Sequence, residues 1–244
     1  MIEERLTERL RAARRVVVLT GAGMSAESGV PTFRGAGGLW RAYRPEDLAT
    51  PEAFAKDPVL VWAWYRARQR AIAAAAPHAG HAALARLATR ASLCLVTQNV
   101  DGLHQRAGSR SVVELHGSLW RLTCADGCPR VTAIDISGVA PDEAPLPRCE
   151  CGALQRPGVV WFGERLPEAA VASAWEAAAS CDLLIAVGTS SVVYPAAALP
   201  SVARRAGAPL VEINPGETPL TPLATHVLRG PAAAMLPALL EATW

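Results

Sequence analysis

The sequence has no excess of charge of either sign, no apolar leader, no unbroken apolar run of membrane length and no internal repeat. Each absence removes a class of protein. Its 24 basic and 22 acidic side chains over 244 residues leave a formal charge of +2, too balanced for a nucleic-acid or membrane surface to be the main partner. Residues 1–15 are basic but also carry Glu3, Glu4 and Glu8, which fits an amphipathic first helix rather than a secretory or acid-poor transit segment. A cytoplasmic location is therefore expected, and six cysteines then point to thiol or metal chemistry rather than to disulfides. Residues 183–203 contain no charge and are long enough to raise the question of a membrane span. Gly188-Thr189-Ser190-Ser191, Pro195 and Pro200 break that stretch into a strand, a polar loop and a helix start.

What is present is ample material for a core, since 51% of the residues are hydrophobic. Short apolar runs at 16–20, 93–98, 112–115, 183–187 and 210–214 alternate with alanine-rich helical patterns, the rhythm of a parallel, doubly wound sheet. Two stretches interrupt it. Residues 120–157 hold four cysteines and several prolines, as a small inserted module would; residues 35–77 form a second insertion, helical in its later part, with Trp62, Trp64 and Tyr65. The main domain is then expected from 1–34, 78–119 and 158–244. Open α/β sheets bind ligands at the carboxyl edge of their strands, and Gly21, Gln98, Asn99, His116, Gly188 and Asn214 each follow a strand candidate.

Gly21-Ala22-Gly23-Met24-Ser25-Ala26 opens where the first strand turns toward a helix, a place where backbone amides receive a pyrophosphate. That pattern alone also fits a generic tight turn. Two further segments, Thr97-Gln98-Asn99-Val100-Asp101-Gly102-Leu103-His104 and Leu115-His116-Gly117, add amide, carboxylate and imidazole groups after two more strands. The first of them also reads as a polar turn capping the next helix. Cys124-x-x-x-Cys128 and Cys149-x-Cys151 form two close pairs, and four thiolates suit one closed, tetrahedral structural zinc site. A disulfide pair is the competing reading. Cys94 and Cys181 lie beside apolar strand residues and read as small buried hydrophobes.

Together with Val159-Val160-Trp161-Phe162-Gly163-Glu164, Gly188-Thr189-Ser190 and Ile213-Asn214-Pro215, these segments resemble, in order and over residues 12–235, the sirtuin family of NAD-dependent protein deacylases. The resemblance implies a Rossmann-like sheet with a zinc module, NAD as a consumed co-substrate, and acyl-lysine proteins or peptides as partners. In the implied mechanism the acyl oxygen attacks the nicotinamide ribose to give an alkylimidate. His116 is then the general base on the ribose hydroxyls, and a neutral imidazole is available near pH 7. Asn99 would hold a ribose hydroxyl or a water, Asp101 the nicotinamide carboxamide, and Gln98 the ribose. Gly21, Ala22, Gly23, Ser25, Thr32, Phe33 and Arg34 would line the cofactor loop, with Phe33 and Arg34 shielding the reactive ribose carbon from water. Gly188, Thr189, Ser190 and Asn214 would serve the phosphates and adenosine ribose, and Ala232 the adenine, while His104 reads as structural. Val160, Phe162, Gly163 and Glu164 would meet the peptide as an added strand, with Trp161 and Phe162 on opposite faces. The first cysteine pair departs by one residue from the family's usual spacing.

Tyr65 and Arg68, three residues apart in a helical segment, share a face, and a guanidinium fork matches a carboxylate in bidentate geometry. They resemble the Tyr-x-x-Arg pair of desuccinylase-type sirtuins, and Ala49 matches the small residue that widens their acyl pocket. The resemblance therefore implies removal of succinyl, malonyl and also acetyl groups from lysine, with O-acyl-ADP-ribose and nicotinamide as products. Competing expectations are a protein mono-ADP-ribosyltransferase using the same pocket and a general deacetylase without acidic-acyl preference.

Overall fold

Six strands form one parallel sheet because their residues are apolar on both faces. They are β1 (Arg15–Thr20), β2 (Ser92–Thr97), β3 (Val112–Glu114), β7 (Leu183–Val187), β8 (Leu210–Ile213) and β9 (His226–Leu228), in the order β3-β2-β1-β7-β8-β9. The computed structural model describes residues 2–33, Gly38 and residues 44–244. All five strand pairs are parallel, as continuous apolar runs covered on both sides require. Alternate residues of β1 go to opposite cores. Val16 and Val18 join α1 (Glu4–Ala12), α5 (Ala79–Leu87) and α9 (Ala232–Thr243), whereas Val17 and Leu19 pack with α7 (Glu168–Ser180) and α8 (Leu199–Arg205).

The chain runs outward from β1 to β3, then returns to β1's other side and runs outward again through β7, β8 and β9. The crevice where that direction reverses, between the carboxyl ends of β1 and β7, is where such sheets hold a dinucleotide. The five strand candidates at 16–20, 93–98, 112–115, 183–187 and 210–214 correspond to five of these strands within one residue at each end. The sixth, β9, holds only two consecutive apolar residues, Val227 and Leu228, behind His226, and no apolar run marks it.

A third core lies beside the sheet. An antiparallel sheet of β4 (Gly117–Cys124), β5 (Val131–Ala133) and β6 (Gln155–Val159), in the order β5-β4-β6, packs against α2 (Pro45–Leu48), α3 (Pro51–Lys56) and α4 (Pro58–Ala74). This small sheet begins before residue 120 and ends after residue 157, so its strands use residues flanking the cysteine segment itself. Helix α3 ends on Lys56, an exposed side chain and the only lysine of the chain. Asp57 caps α4 through Leu60 N (2.9 Å) and Pro58 occupies its first turn, a strong start signal. One face of α4 is fastened to the neighbouring module. Trp62 Nε1 donates to Gln155 O (3.0 Å), Arg66 to Asp142 O, Ala144 O and Pro145 O, and Gln69 Nε2 to Leu119 O (2.8 Å). Fixing positions 62, 66 and 69 fixes the rotation of the helix, and with it the direction of the adjoining face that carries Tyr65 and Arg68 to the cleft.

Candidate active site

A cleft of about 1100 Å³ runs from the carboxyl ends of β1, β7 and β8 to the side of α4. Its floor at one end is backbone. Gly21 N donates to Val187 O (3.1 Å) and Gly23 N to Gly188 O (2.8 Å), tying the turn after β1 to the end of β7. A Cβ on Gly23 would lie 2.8 Å from Gly188 Cα, and Gly188 itself sits at φ +58°, so side chains are excluded on both sides of this junction. The turn continues as a 3₁₀ helix, Ala22–Ser28. Gln98 Nε2 donates to Thr189 Oγ1 (3.0 Å) and Asn214 Nδ2 to Thr189 O (2.9 Å). The ends of β2, β7 and β8 are thereby linked across the cleft floor.

His116 follows the edge strand β3 and lines the cleft. Its Nδ1 lies 3.0 Å from Gln98 O. A carbonyl only accepts, so Nδ1 carries the proton and Nε2 is left with its lone pair. Burial lowers the imidazole's pKa, opposed by the Gln98 carbonyl, and the neutral form therefore dominates at pH 7. Asn99 is buried, with Nδ2 donating to Gly21 O (3.0 Å) and Ser25 Oγ (3.2 Å). Its Oδ1 has no partner among the described residues and remains as an acceptor.

Asp101 and Ser25 are placed behind this surface. Ser25 Oγ donates to Asp101 Oδ2 (2.8 Å), Leu103 N donates to Asp101 Oδ1 (2.9 Å), and burial raises the carboxyl's pKa. Both carboxylate oxygens are thus occupied within the protein, and neither residue is among those lining the cleft. His104, on the short helix α6 (Leu103–Arg106), is buried with Nε2 3.0 Å from Thr20 Oγ1, a core position. Ala232 is buried at the start of α9 in the core beneath the sheet, not on the cleft wall. Ala22, Thr32, Phe33 and Ser190 do line the cleft. Arg34 lies outside the described residues.

The other end of the cleft is built from side chains. Arg68 enters it with its guanidinium carbon 4.7 Å from the Trp64 ring centroid, 4.9 Å from Phe33 and 5.9 Å from Tyr65. It has no hydrogen bond or ion pair among the described residues. Burial lowers its pKa from the ordinary arginine value, with Tyr65 and Asp101 opposing, and a guanidinium stays cationic at neutral pH. A cation in an aromatic box without a counter-ion is costly, and cation–π contacts offset part of that cost. Tyr65 is buried beside it, its phenol pKa raised by burial. Ala49 lines the same pocket, and its carbonyl accepts from Phe162 N (2.9 Å).

Val160, Phe162, Gly163 and Glu164 form the lip. Phe162 is 45% exposed while Trp161 is 3% exposed, and both line the cleft. The Glu164 carboxylate is held from within: Arg156 pairs with both oxygens, and Trp161 N donates to Oε2 (2.8 Å). Burial disfavours its charge, but Arg156 and the Trp161 amide outweigh that and hold its pKa below the ordinary value. Arg156 also donates to Val159 O (2.8 Å), tying both ends of the 159–164 segment. The sequence motifs leave out Arg156, and also Leu166, Val171, Trp175 and Tyr194, which extend the apolar wall. Val171 and Trp175 carry the one available signal, an i, i+4 apolar pair on α7.

Cys124, Cys128, Cys149 and Cys151 place their Sγ atoms within 4.8 Å of one another, and none lines the cleft. Gly127, at φ +79° with its N–H on Cys124 O, lets the turn absorb the extra residue of the first pair. Cys151 is lowered to about 7, chiefly by the Ala153 amide, whereas Cys128 is pushed up to about 12 by its sulfur neighbours. Four convergent sulfurs with no histidine or carboxylate among them fit a closed structural zinc site.

Comparison with known proteins accords with this geometry. The Sir2 family model matches residues 21–195. "NAD-dependent protein deacylase 2" of Pyrobaculum aerophilum is 55% identical over 95% of this chain and 92% of its own length. A solved Sir2 homologue in complex with NAD superposes with a TM-score of 0.93 at 47% identity, covering 100% of this chain and 94% of that one. A Sir2 complex with a p53 peptide and NAD+ gives 0.87 at 33% identity, covering 99% and 98%. With the glycine junction, His116, the cysteine cluster and similarity along nearly the whole length all in agreement, this chain belongs to the Sir2 family.

Proposed function

We propose that the protein is an NAD-dependent protein-lysine deacylase that removes succinyl and malonyl groups, and acetyl groups as well, yielding nicotinamide and O-acyl-ADP-ribose. The NAD-dependent deacylase activity is that named for its relatives, and a peptide substrate is that named for a structural neighbour. The glycine junction between Gly21, Gly23 and Gly188 leaves room for a pyrophosphate against bare backbone. When bound, NAD supplies an ADP-ribosyl group as acyl acceptor. His116 Nε2 then takes a proton from a ribose hydroxyl, with Gln98 O holding the ring in the needed tautomer. Asn99 Oδ1 accepts from a second hydroxyl or a water. Phe33 and the aromatic wall exclude solvent from the reacting carbon. The peptide pairs with the 160–163 main chain. Thiols gathered as a metal cluster suit a reducing compartment, which supports a cytoplasmic location.

Arg68 carries the acyl assignment. A guanidinium that no carboxylate hydrogen-bonds among the described residues, set beside Tyr65 inside the cleft, is what an acidic acyl group requires and an acetyl group does not. The test is Arg68→Met with matched peptides at saturating NAD. The succinyl peptide should lose roughly 30-fold to 1000-fold in kcat/KM, equivalent to about 2–4 kcal/mol of charge-assisted bonding, and the acetyl peptide far less. Equal losses on both would return the protein to general deacetylation.

A further inference from the structure

Trp161, buried at the cleft wall, is held by several neighbours. The Arg156 guanidinium carbon lies 3.4 Å from its ring centroid, the Phe54 ring is tilted against it at 5.4 Å, and its backbone N–H is held by Glu164. Its indole Nε1–H donates to Tyr65 Oη at 2.9 Å. An indole N–H only donates, so the direction of that bond is fixed by chemistry. A phenolic O–H prefers the plane of its ring, which leaves two sites at the oxygen, one for the proton and one for an accepted bond. With the second filled by Trp161, the hydroxyl proton takes the first.

We propose that Trp161 is a positioning residue for acyl specificity: by filling the acceptor side of Tyr65 Oη it turns the phenolic proton into the acyl pocket. Tyr65 therefore presents a donor beside the Arg68 guanidinium. Two donors converging from two residues select a ligand made only of acceptors, which is a carboxylate. A tyrosine free to rotate would spend part of its time offering a lone pair, repelling that same group. Arg156 and Glu164 hold Trp161 in place, so the segment proposed to meet the peptide and the residue that reads the acyl group share one support. This rests on the acidic-acyl reading above and names the residue that gives Tyr65 its polarity.

The experiment is a double-mutant cycle on the succinyl-to-acetyl ratio of kcat/KM, with Trp161→Phe, Tyr65→Phe and the two combined. Trp161→Phe keeps an aromatic ring on Phe54 and Arg156 but loses the N–H. It should lower the ratio about 3-fold to 10-fold in the wild-type background and leave it unchanged in the Tyr65→Phe background. An equal drop in both backgrounds would assign the effect to packing, and no drop in either would deny any role; both outcomes overturn the inference while leaving the acidic-acyl reading intact. A wild-type ratio that Arg68→Met does not move would remove that reading, and this inference with it. A second measurement needs no tryptophan variant. Among the seven tryptophans, Trp62 and Trp120 also donate their indole N–H groups to carbonyls, and of the indole signals shielded from solvent exchange in ¹⁵N spectra one should shift and lose its protection in Tyr65→Phe. If no indole signal responds, the bond is absent and the inference fails.

Discussion

The two ends of the cleft are made of different material. At the sheet end the surface is backbone: Gly21, Gly23 and Gly188 meet so closely that no side chain fits, and hydrogen bonds of Gln98 and Asn214 converge on Thr189. At the α4 end it is side chain, with Trp64, Tyr65 and Arg68 projecting from that one helix and Phe33 arriving from the segment after the first turn. A backbone surface reads features shared by all dinucleotides and tolerates little substitution, because any Cβ collides. A side-chain surface reads one acyl group and can be retuned residue by residue.

His116 stands where the two ends meet, and its replacement should have the largest effect. His116→Ala is expected to lower kcat about 10²-fold to 10⁴-fold, the usual worth of a general base, with melting temperature and peptide affinity retained. Near-normal turnover would place the base elsewhere. Gly188→Ala should come next. It meets backbone on the opposite turn and a positive φ at once, so NAD affinity should fall at least about 10-fold for succinyl and acetyl reactions alike. Titration calorimetry with NAD checks it, and an acyl-selective effect would blur the division between the two ends.

The cysteine cluster supports the side-chain end from a distance, through the small sheet to which α4 is fastened. Cys151→Ala should release one zinc per chain and lower thermal stability by about 2–5 kcal/mol even with NAD present. Metal analysis and calorimetry measure both. The last effect belongs to the sheet side and emerges only below neutral pH. His81 and His104 pack with ring centroids 5.0 Å apart, and burial lowers their pKa values to about 3 and about 4. The unfolded chain takes up protons near pH 6.5 that the folded chain refuses until it is far more acidic. Their contribution to stability is therefore complete above pH 6.5 and is lost as pH falls toward 4, at up to about 2–3 kcal/mol per pH unit for the pair. Denaturant midpoints at pH 7, 6 and 5 test the sign.

The same division explains what is legible in the sequence. Backbone surfaces demand glycine at fixed offsets from a strand, so Gly21, Gly23 and Gly188 stand out in the amino-acid order itself, as do five of the six strands of the parallel sheet. His116 and Asn99 stand out because polar groups at strand ends are uncommon in apolar runs. Side-chain surfaces leave fainter traces. The i, i+3 spacing puts Tyr65 and Arg68 on one face of a helix, but only the pinning of Trp62, Arg66 and Gln69 to the small sheet says which way that face looks. Glu164 reads in the sequence as part of the main chain that meets the peptide, and nothing local announces that its carboxylate pairs with Arg156, eight residues away and across a turn. Asp101 reads as a contact for nicotinamide, and the bonds its oxygens accept from Ser25 and Leu103 are not visible in the sequence. Which partner a carboxylate takes depends on what tertiary packing brings near it, and no local pattern records that.

Helix α3 ends on the chain's only lysine, against twenty-three arginines. Arginine keeps the surface charged and still makes forked hydrogen bonds, yet it is not the side chain that acyl donors modify. A molecule that strips acyl groups from lysine thus exposes, apart from its amino terminus, a single amine at which the same modification can form. Its own surface is almost blank in the chemical language it edits on other proteins.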